Sequence, residues 1–242
     1  MRIAIVTAYY KEPLEVVRRC VDSVKAQTPR CTHILVADGH ARPEIDSWDV
    51  QHIKLPVSHG DYGDTPRFVG SVSAHARGFD ALCWLDADNW YEPDHVASCL
   101  ELAQARGVSV VTATRILRRL DASALGVCTE SNGREFNDTN CYLLMRPAML
   151  VARAWGFKPA GHKSVGDRIV WRAVLSAFPE RAHNPKPTVN YETLVAMHYL
   201  ERRELPPPEA KVWIAAGDED PKPVSYWEHV ERVTRRSQAP GQ

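Results

Sequence analysis

Across roughly the first half of the chain, short β-branched runs alternate with segments whose apolar residues recur every three or four positions. Residues 2–7 are rich in Ile, Val and Ala, as a strand covered on both faces would be. Pro13 then opens a helix on which Leu14, Val17, Val21 and Val24 share one side. Residues 32–37 read as a second strand ending in Asp38-Gly39, and residues 51–55 as a third. A helix covers 65–77, with Gly78 placed to stop it. Residues 80–85 read as a fourth strand. Pro93 begins another helix carrying Val96, Leu100 and Ala103 on one face; Gly107 closes it, and 108–116 returns as a strand. Strands separated by helices need crossover connections, so this pattern predicts an open, mostly parallel α/β sheet flanked by helices.

The second half is less regular. Residues 139–145 read as a strand, and 165–178 as an amphipathic helix that aligns Ile169, Val170, Ala173, Val174 and Ala177. Beyond residue 200, Pro206-Pro207-Pro208, the acidic Asp218-Glu219-Asp220 and a polar end suggest an arm with a frayed terminus. One α/β domain with C-terminal additions over 206–242 is the expected organisation.

Composition narrows the classes of function. At roughly 150 residues per domain, 242 residues make one large or two small domains, enough to bury a core without disulfides or a structural metal. Thirty basic residues balance thirty acidic ones, which gives no support to whole-protein binding of nucleic acid, and no basic stripe with interleaved aromatics appears. Local balances differ: residues 61–100 carry seven acids against Arg67 and Arg77, whereas 151–200 carry seven bases against three acids. Six cysteines lie without CxxC spacing and are expected as reduced thiols. The first ten residues lack the pattern of an export leader, and no apolar run approaches the roughly 18 residues of a membrane span. A cytoplasmic protein is the expectation, with peripheral membrane association left open.

The most informative segment is Leu82-Cys83-Trp84-Leu85-Asp86-Ala87-Asp88-Asn89. On a strand, residues i and i+2 face the same way, so Asp86 and Asp88 would present two carboxylates together. They stand at the carboxyl end of the strand, where open α/β sheets put their ligands. Two hard oxygen ligands suit Mn²⁺ or Mg²⁺, with phosphate oxygens and water completing the shell. A helix cap explains the pair poorly, because Pro93 starts the next helix several residues later. Trp90 and Tyr91 could stack on a sugar ring or staple the following helix to the core.

The string Ile3-Ala4-Ile5-Val6-Thr7-Ala8-Tyr9-Tyr10, then a helix, then Ile34-Leu35-Val36-Ala37-Asp38-Gly39, then Asp86-Ala87-Asp88, resembles the family 2 glycosyltransferases. The resemblance covers residues 1–120 well and 130–200 loosely. It implies a GT-A fold with a Rossmann-like sheet, in which 1–120 binds the nucleotide sugar and 121–205 forms the acceptor side. It also implies a divalent metal at the DxD motif and inverting transfer from a nucleoside-diphosphate sugar, a UDP-sugar ahead of a GDP-sugar, to a hydroxyl-bearing acceptor.

Carried over residue by residue, the resemblance implies that Thr7, Ala8 and Tyr9 line the base and ribose pocket. Asp38 would hydrogen-bond base or ribose; Ala37 stands where the family pattern has a first acid. Asp86, Ala87 and Asp88 would form the metal and diphosphate motif, with Asp88 the direct ligand. Arg67 occupies a region where the family often places a basic residue near the donor. Nearby, Asp64 could instead cap the helix that follows it, with Pro66 in the first turn.

An inverting transfer needs a base for the acceptor hydroxyl. Asp167 is the first candidate, after a loop holding Gly161 and Gly166, and matches the family's acid at this stage of the chain. Ser164-x-x-Asp167 is also a capping-box-like pattern. Asp138 is the second candidate base, with a turn aspartate as its plainer role. His198 would supply a third metal ligand, as a C-terminal histidine does in some GT-A enzymes. Among other classes, a nucleotidyltransferase would show a glycine-rich basic loop after the first strand, where Thr7–Glu12 has no glycine. A dinucleotide-dependent oxidoreductase would show GxGxxG there. A non-catalytic nucleotide-sugar-binding module stays as the alternative from outside the enzymes.

Overall fold

A computed structural model of the chain describes residues 1–158, 165–214 and 221–238. Gly161, Ser164 and the acidic run at 218–220, all used above, lie outside the described residues. The chain divides into two compact units, Met1–Ile116 with Val127–Tyr191, and Leu117–Gly126 with Glu192–Gln242.

The first unit holds β1 (Ile3–Tyr9), α1 (Leu14–Lys25), β2 (Thr32–Asp38), β3 (Gln51–Leu55), α2 (Asp64–Ala76), β4 (Ala81–Trp84), β5 (Trp90–Tyr91) and α3 (His95–Arg106). It continues through β6 (Val110–Arg118), whose end passes into the second unit together with most of β7 (Ala124–Val127). Then come β8 (Tyr142–Met145), the single turn α4 (Arg153–Gly156), α5 (Gly166–Ala177) and β9 (Ala182–Glu192). Strands lie in the order β3-β2-β1-β4-β8-β6-β9-β5.

β1 pairs in parallel with β2 and β4, and β2 with β3, as the helical crossovers require. β8 enters antiparallel to both β4 and β6. The parallel expectation therefore holds for β3-β2-β1-β4 and stops where the sequence stops alternating. The stretch from β6 to β8 carries no long helix to make a crossover.

β1, β2 and β4 are buried on both faces, which is why their residues read as near-continuous apolar runs, whereas the edge strand β3 is only half-buried. Ala4, Val6, Leu82 and Trp84 pack with Met149, Trp155, Val170 and Val174 on one side. Ile3, Ile5, Cys83 and Leu85 pack with Cys20, Val96, Cys99 and Leu100 on the other. Gly70 lets α2 lie directly on the sheet: a Cβ there would stand 2.5 Å from Val6 Cγ1. All six cysteines are free thiols, five of them buried. Burial pushes the Cys20 and Cys31 thiols up to about 12, which leaves them largely unreactive near neutrality.

Two sequence expectations are corrected. Only the end of 139–145 is a strand; Thr139–Cys141 forms a 3₁₀ turn. The Asp138 side chain accepts from the Asn140 amide at 2.9 Å, and such local bonds compete with strand pairing. The supposed arm is also built: α6 (Ala196–Leu200) is followed by an antiparallel hairpin, β10 (Lys211–Ile214) with β11 (Lys222–Ser225), and by α7 (Tyr226–Gln238). The prolines precede this structure rather than replace it. Within the second unit Arg119 grips Glu204 through two bonds of 3.0 and 2.6 Å. Among the described residues no helix is long and apolar enough to cross a membrane.

Candidate active site

β4 ends at Trp84, so Asp86 and Asp88 sit in the turn beyond the strand and not on it. Asn89 N–H closes that turn on Asp86 O at 3.1 Å, while Ala87 is buried beside Tyr9 and Val17. Strand alternation therefore does not orient the two carboxylates. The turn does, leaving Asp86 half-buried among protein partners and Asp88 exposed. Arg19 of α1 donates to the Asp88 carbonyl at 2.7 Å and lies over the Trp90 ring at 4.2 Å, holding the far side of the turn.

Asp86 is engaged through both oxygens. Arg67 Nη2 reaches Oδ1 at 2.5 Å, and the Asn140 side-chain amide donates to Oδ2 at 2.9 Å. Asn140 Oδ1 in turn accepts from Asp86 N–H at 2.6 Å. The same Asn140 amide donates to Asp138 Oδ1 at 2.8 Å, and Asp138 Oδ2 pairs with the buried Arg115 at 2.7 Å. On the other flank, Arg67 Nη1 donates to Tyr62 O at 2.8 Å and lies 3.4 Å from Asp64 Oδ1. Asp64 is buried and forms a close ion pair with Lys158. Each acid on this line has a basic partner within the protein: Lys158 and Arg67 for Asp64, Arg67 for Asp86 and Arg115 for Asp138.

Gly63 holds the N-cap position of α2 without a side-chain cap, and Asp61, two residues earlier, accepts at Oδ2 from Thr65 N–H at 3.0 Å and Thr65 Oγ1 at 2.6 Å. Asp64 is the first residue of the helix, so the capping role considered for it is corrected. Pro66 does lie in the first turn.

α5 begins against this network. A Cβ on Gly166 would stand 2.3 Å from Asp64 Oδ2, so only glycine lets the helix start there. The next residue, Asp167, is half-buried. Burial, seconded by the charge of Asp138, raises its carboxyl to about 6, against the opposing pull of the Arg168 amide and the Arg168 and Arg67 charges. A carboxylate that exchanges its proton near neutrality suits a general base. Asp138, by contrast, has both oxygens committed to Arg115 and to Asn140.

The other predicted residues divide by strand face. Thr7 and Tyr9 point one way. Thr7 Oγ1 meets His33 Nε2 at 2.8 Å in the core, and Tyr9 OH meets His52 Nε2 at 2.7 Å and Arg42 N–H at 3.0 Å. Ala8 points the other way, beside Gly63 and Arg67. Asp38 is buried and accepts from His59 Nδ1 at 2.7 Å and His59 N–H at 3.1 Å. Tyr91 is core: its hydroxyl donates to Trp84 O at 2.7 Å and its ring stacks on His95. His198 belongs to the second unit, where Nδ1 meets Thr193 Oγ1 at 2.7 Å.

Asn140 and Lys158 were not singled out from sequence, and Asp64 only as a helix cap, although Asn140 touches Asp86 and Asp138, and Asp64 touches Arg67 and Lys158. The one available signal was the polar run Asn137-Asp138-Thr139-Asn140 in a chain that otherwise buries apolar residues there. Also unforeseen is a cleft of about 470 Å³ beyond the ends of β1 and β2, lined by Tyr10, Lys11, His40, Ala41 and Arg42.

No family model matches the sequence, and no curated protein sequence matches it. Solved structures match in fold. Staphylococcus aureus TarS aligns with a TM-score of 0.61 at 12% identity over 83% of this chain and 38% of that one. Its 1–349 fragment in complex with UDP aligns at 0.60, 11% identity, 84% and 63%. The same fragment in complex with UDP-GlcNAc aligns at 0.61, 11% identity, 80% and 59%. The fold is the GT-A fold. This chain spans less than two thirds of each of these TarS chains, and at such identity the likeness is one of architecture. In GT-A terms the Asp86–Asp88 turn and the Arg67 guanidinium stand at the carboxyl ends of the parallel strands, the ligand side of an open sheet.

Proposed function

We propose that this chain is a glycosyltransferase of the kind the family 2 resemblance implies: divalent-metal-dependent, inverting, and acting from a nucleoside-diphosphate sugar on an acceptor hydroxyl. One observation carries the proposal. An arginine, an acidic turn and a half-buried acid with a carboxyl raised to about 6 converge at the ligand side of a GT-A sheet. The UDP and UDP-GlcNAc complexes of TarS support a UDP-sugar as donor.

The donor set fits Mn²⁺ or Mg²⁺. Asp88 offers an exposed hard oxygen, as these ions require, and Asp86, engaged at each oxygen by Arg67 or Asn140, would support from behind. The ion, when bound, neutralises charge on the departing diphosphate.

In this scheme Arg67 places a fixed cation beside the diphosphate and Ala8 leaves room for the nucleoside. Thr7, Tyr9 and Asp38 brace the strand ends that frame it. Asp167 accepts the proton of the acceptor hydroxyl as its oxygen bonds to the anomeric carbon. The bond from that carbon to the diphosphate oxygen breaks on the opposite face, so configuration inverts.

The test is a panel of UDP-, GDP- and TDP-sugars with Mn²⁺, read by thermal shift and by released nucleoside diphosphate. Stabilisation and release by UDP-sugars are the expected outcomes. Stabilisation without release would make the chain a nucleotide-sugar-binding module, and neither effect with any donor would remove the proposal.

A further inference from the structure

The Asn140 side chain is fully buried and meets two carboxylates of like charge at once. Its amide nitrogen donates one hydrogen to Asp86 Oδ2 and one to Asp138 Oδ1, and its oxygen accepts the Asp86 amide. All the strong hydrogen-bonding capacity on the donor side is thus spent on the two acids. A neutral residue is what this position requires. A carboxylate here would set a third negative charge between two others, and a cation would compete with Arg67 for Asp86.

The consequence reaches Arg67. Asp86 can present only Oδ1 to the guanidinium while Oδ2 is tied to Asn140, so Arg67 is held by one oxygen at 2.5 Å with Nη1 free to take Tyr62 O and face Asp64. Released from Asn140, Asp86 would turn both oxygens to the guanidinium in the paired geometry that arginine and carboxylate favour. The cation would then swing toward Asp86 and away from Tyr62 O and Asp64, changing where it faces a ligand above the turn.

We propose that Asn140 is a positioning residue for sugar transfer: it fixes the direction of the Asp86 carboxylate and, through it, the Arg67 guanidinium. This rests on the glycosyltransferase assignment and adds a residue that the DxD pattern does not contain. The two ends of the link lie 54 positions apart in sequence, joined by a turn on each side of the β4–β8 ladder.

The experiment compares the wild type, Asn140→Ala, the neutral Asn140→Ser, Asp86→Asn and the double variant Asn140→Ala/Asp86→Asn, using UDP-GlcNAc as donor. For Asn140→Ala, kcat should fall by about 10²-fold, the scale of a misplaced catalytic group, while donor KM moves less than about threefold. The double variant should lose no more kcat than Asp86→Asn alone, because both changes act on one element. Multiplicative losses, or a kcat within about twofold of wild type in Asn140→Ala, would overturn the proposal. Should Asn140→Ala fail to fold, Asn140→Ser, which stays neutral and whose hydroxyl can donate only one hydrogen, must show the same split.

A crystal structure of whichever variant folds gives a readout independent of turnover. A rotated Asp86 with Arg67 drawn onto both its oxygens is expected. An unmoved Asp86–Arg67 pair defeats the proposal even if the wild-type chain transfers nothing. An active wild type with an indifferent Asn140→Ala defeats this inference alone.

Discussion

Arg67 Nη2 lies 2.5 Å from Asp86 Oδ1, which ties the first turn of α2 to the turn after β4 across 19 residues of sequence. The first acid of the DxD pattern is therefore already paired with a cation supplied by the protein. Replacing Arg67 with alanine removes the guanidinium from both Asp86 and Asp64, while the Asp64–Lys158 pair stays. We predict a fall in turnover of roughly 10²–10³-fold, comparable to loss of one preorganised charge-stabilising donor. Arg67→Lys should recover little, because a single ammonium cannot span Tyr62 O, Asp64 and Asp86 as the guanidinium fork does. Steady-state kinetics on the two variants check this.

Asp167 gives a pH dependence with a definite sign. Its carboxyl is raised from the ordinary 3.8 to about 6, so the folded state holds a proton that the unfolded chain has released between those values. Stability therefore falls as pH rises through that window. Asp167→Asn should be more stable than wild type above about pH 7 and equal to it below about pH 4, as read by thermal melts. Activity runs oppositely. The base form appears as pH rises, so kcat/KM should climb through about pH 6 in the wild type, and Asp167→Asn should lose transfer severely.

Asp138 should behave as a structural acid. It pairs at 2.7 Å with a buried arginine whose other acidic partner among the described residues, Glu130, lies at 3.7 Å. Asp138→Asn strands the Arg115 charge, and urea unfolding should show a loss of about 3–5 kcal/mol, the cost of breaking a buried pair. A fully stable Asp138→Asn protein without activity would instead assign the base to Asp138.

Asp88→Ala should abolish the stabilisation that Mn²⁺ and UDP produce together, while leaving the Tm of the ligand-free protein nearly unchanged, because the Asp88 side chain is exposed. Chelation of the wild type by EDTA should reproduce the loss, and re-addition of Mn²⁺ should reverse it. An Asp88→Ala protein that still responds to Mn²⁺ with UDP would take the direct ligand away from this residue.

How much of this was legible beforehand follows from which forces are local. β1, α1, β2, α2, β4 and α3 could be read because burial imposes a period on neighbouring residues: continuous apolar runs for a strand covered on both faces, three- and four-residue spacing for a helix with one face covered. Stops such as Gly78 and Gly107 could be read because both adopt positive φ, 77° and 63°, which glycine takes without strain. The reversed direction of β8 and the folded segment after Pro208 had no such signature, since direction and short hairpins depend on what lies alongside.

For the site, the kinds of side chain were legible and their geometry was not. Asp86, Asp88, Arg67 and Asp167 stand out as residue types. That the DxD acids lie in a turn, that Asp86 is consumed by Arg67 and Asn140, and that Asp138 serves Arg115 could not be read, because each partner lies 19 to 54 residues away in sequence. Sequence by itself determined the sheet's parallel half, its helical cover and the kinds of groups at the strand ends. Only the tertiary structure decided which acid is neutralised and which keeps an exposed carboxylate or a raised pKa. Hydrogen bonds and charge pairs act over a few ångströms of space, and spacing along the chain does not report that distance.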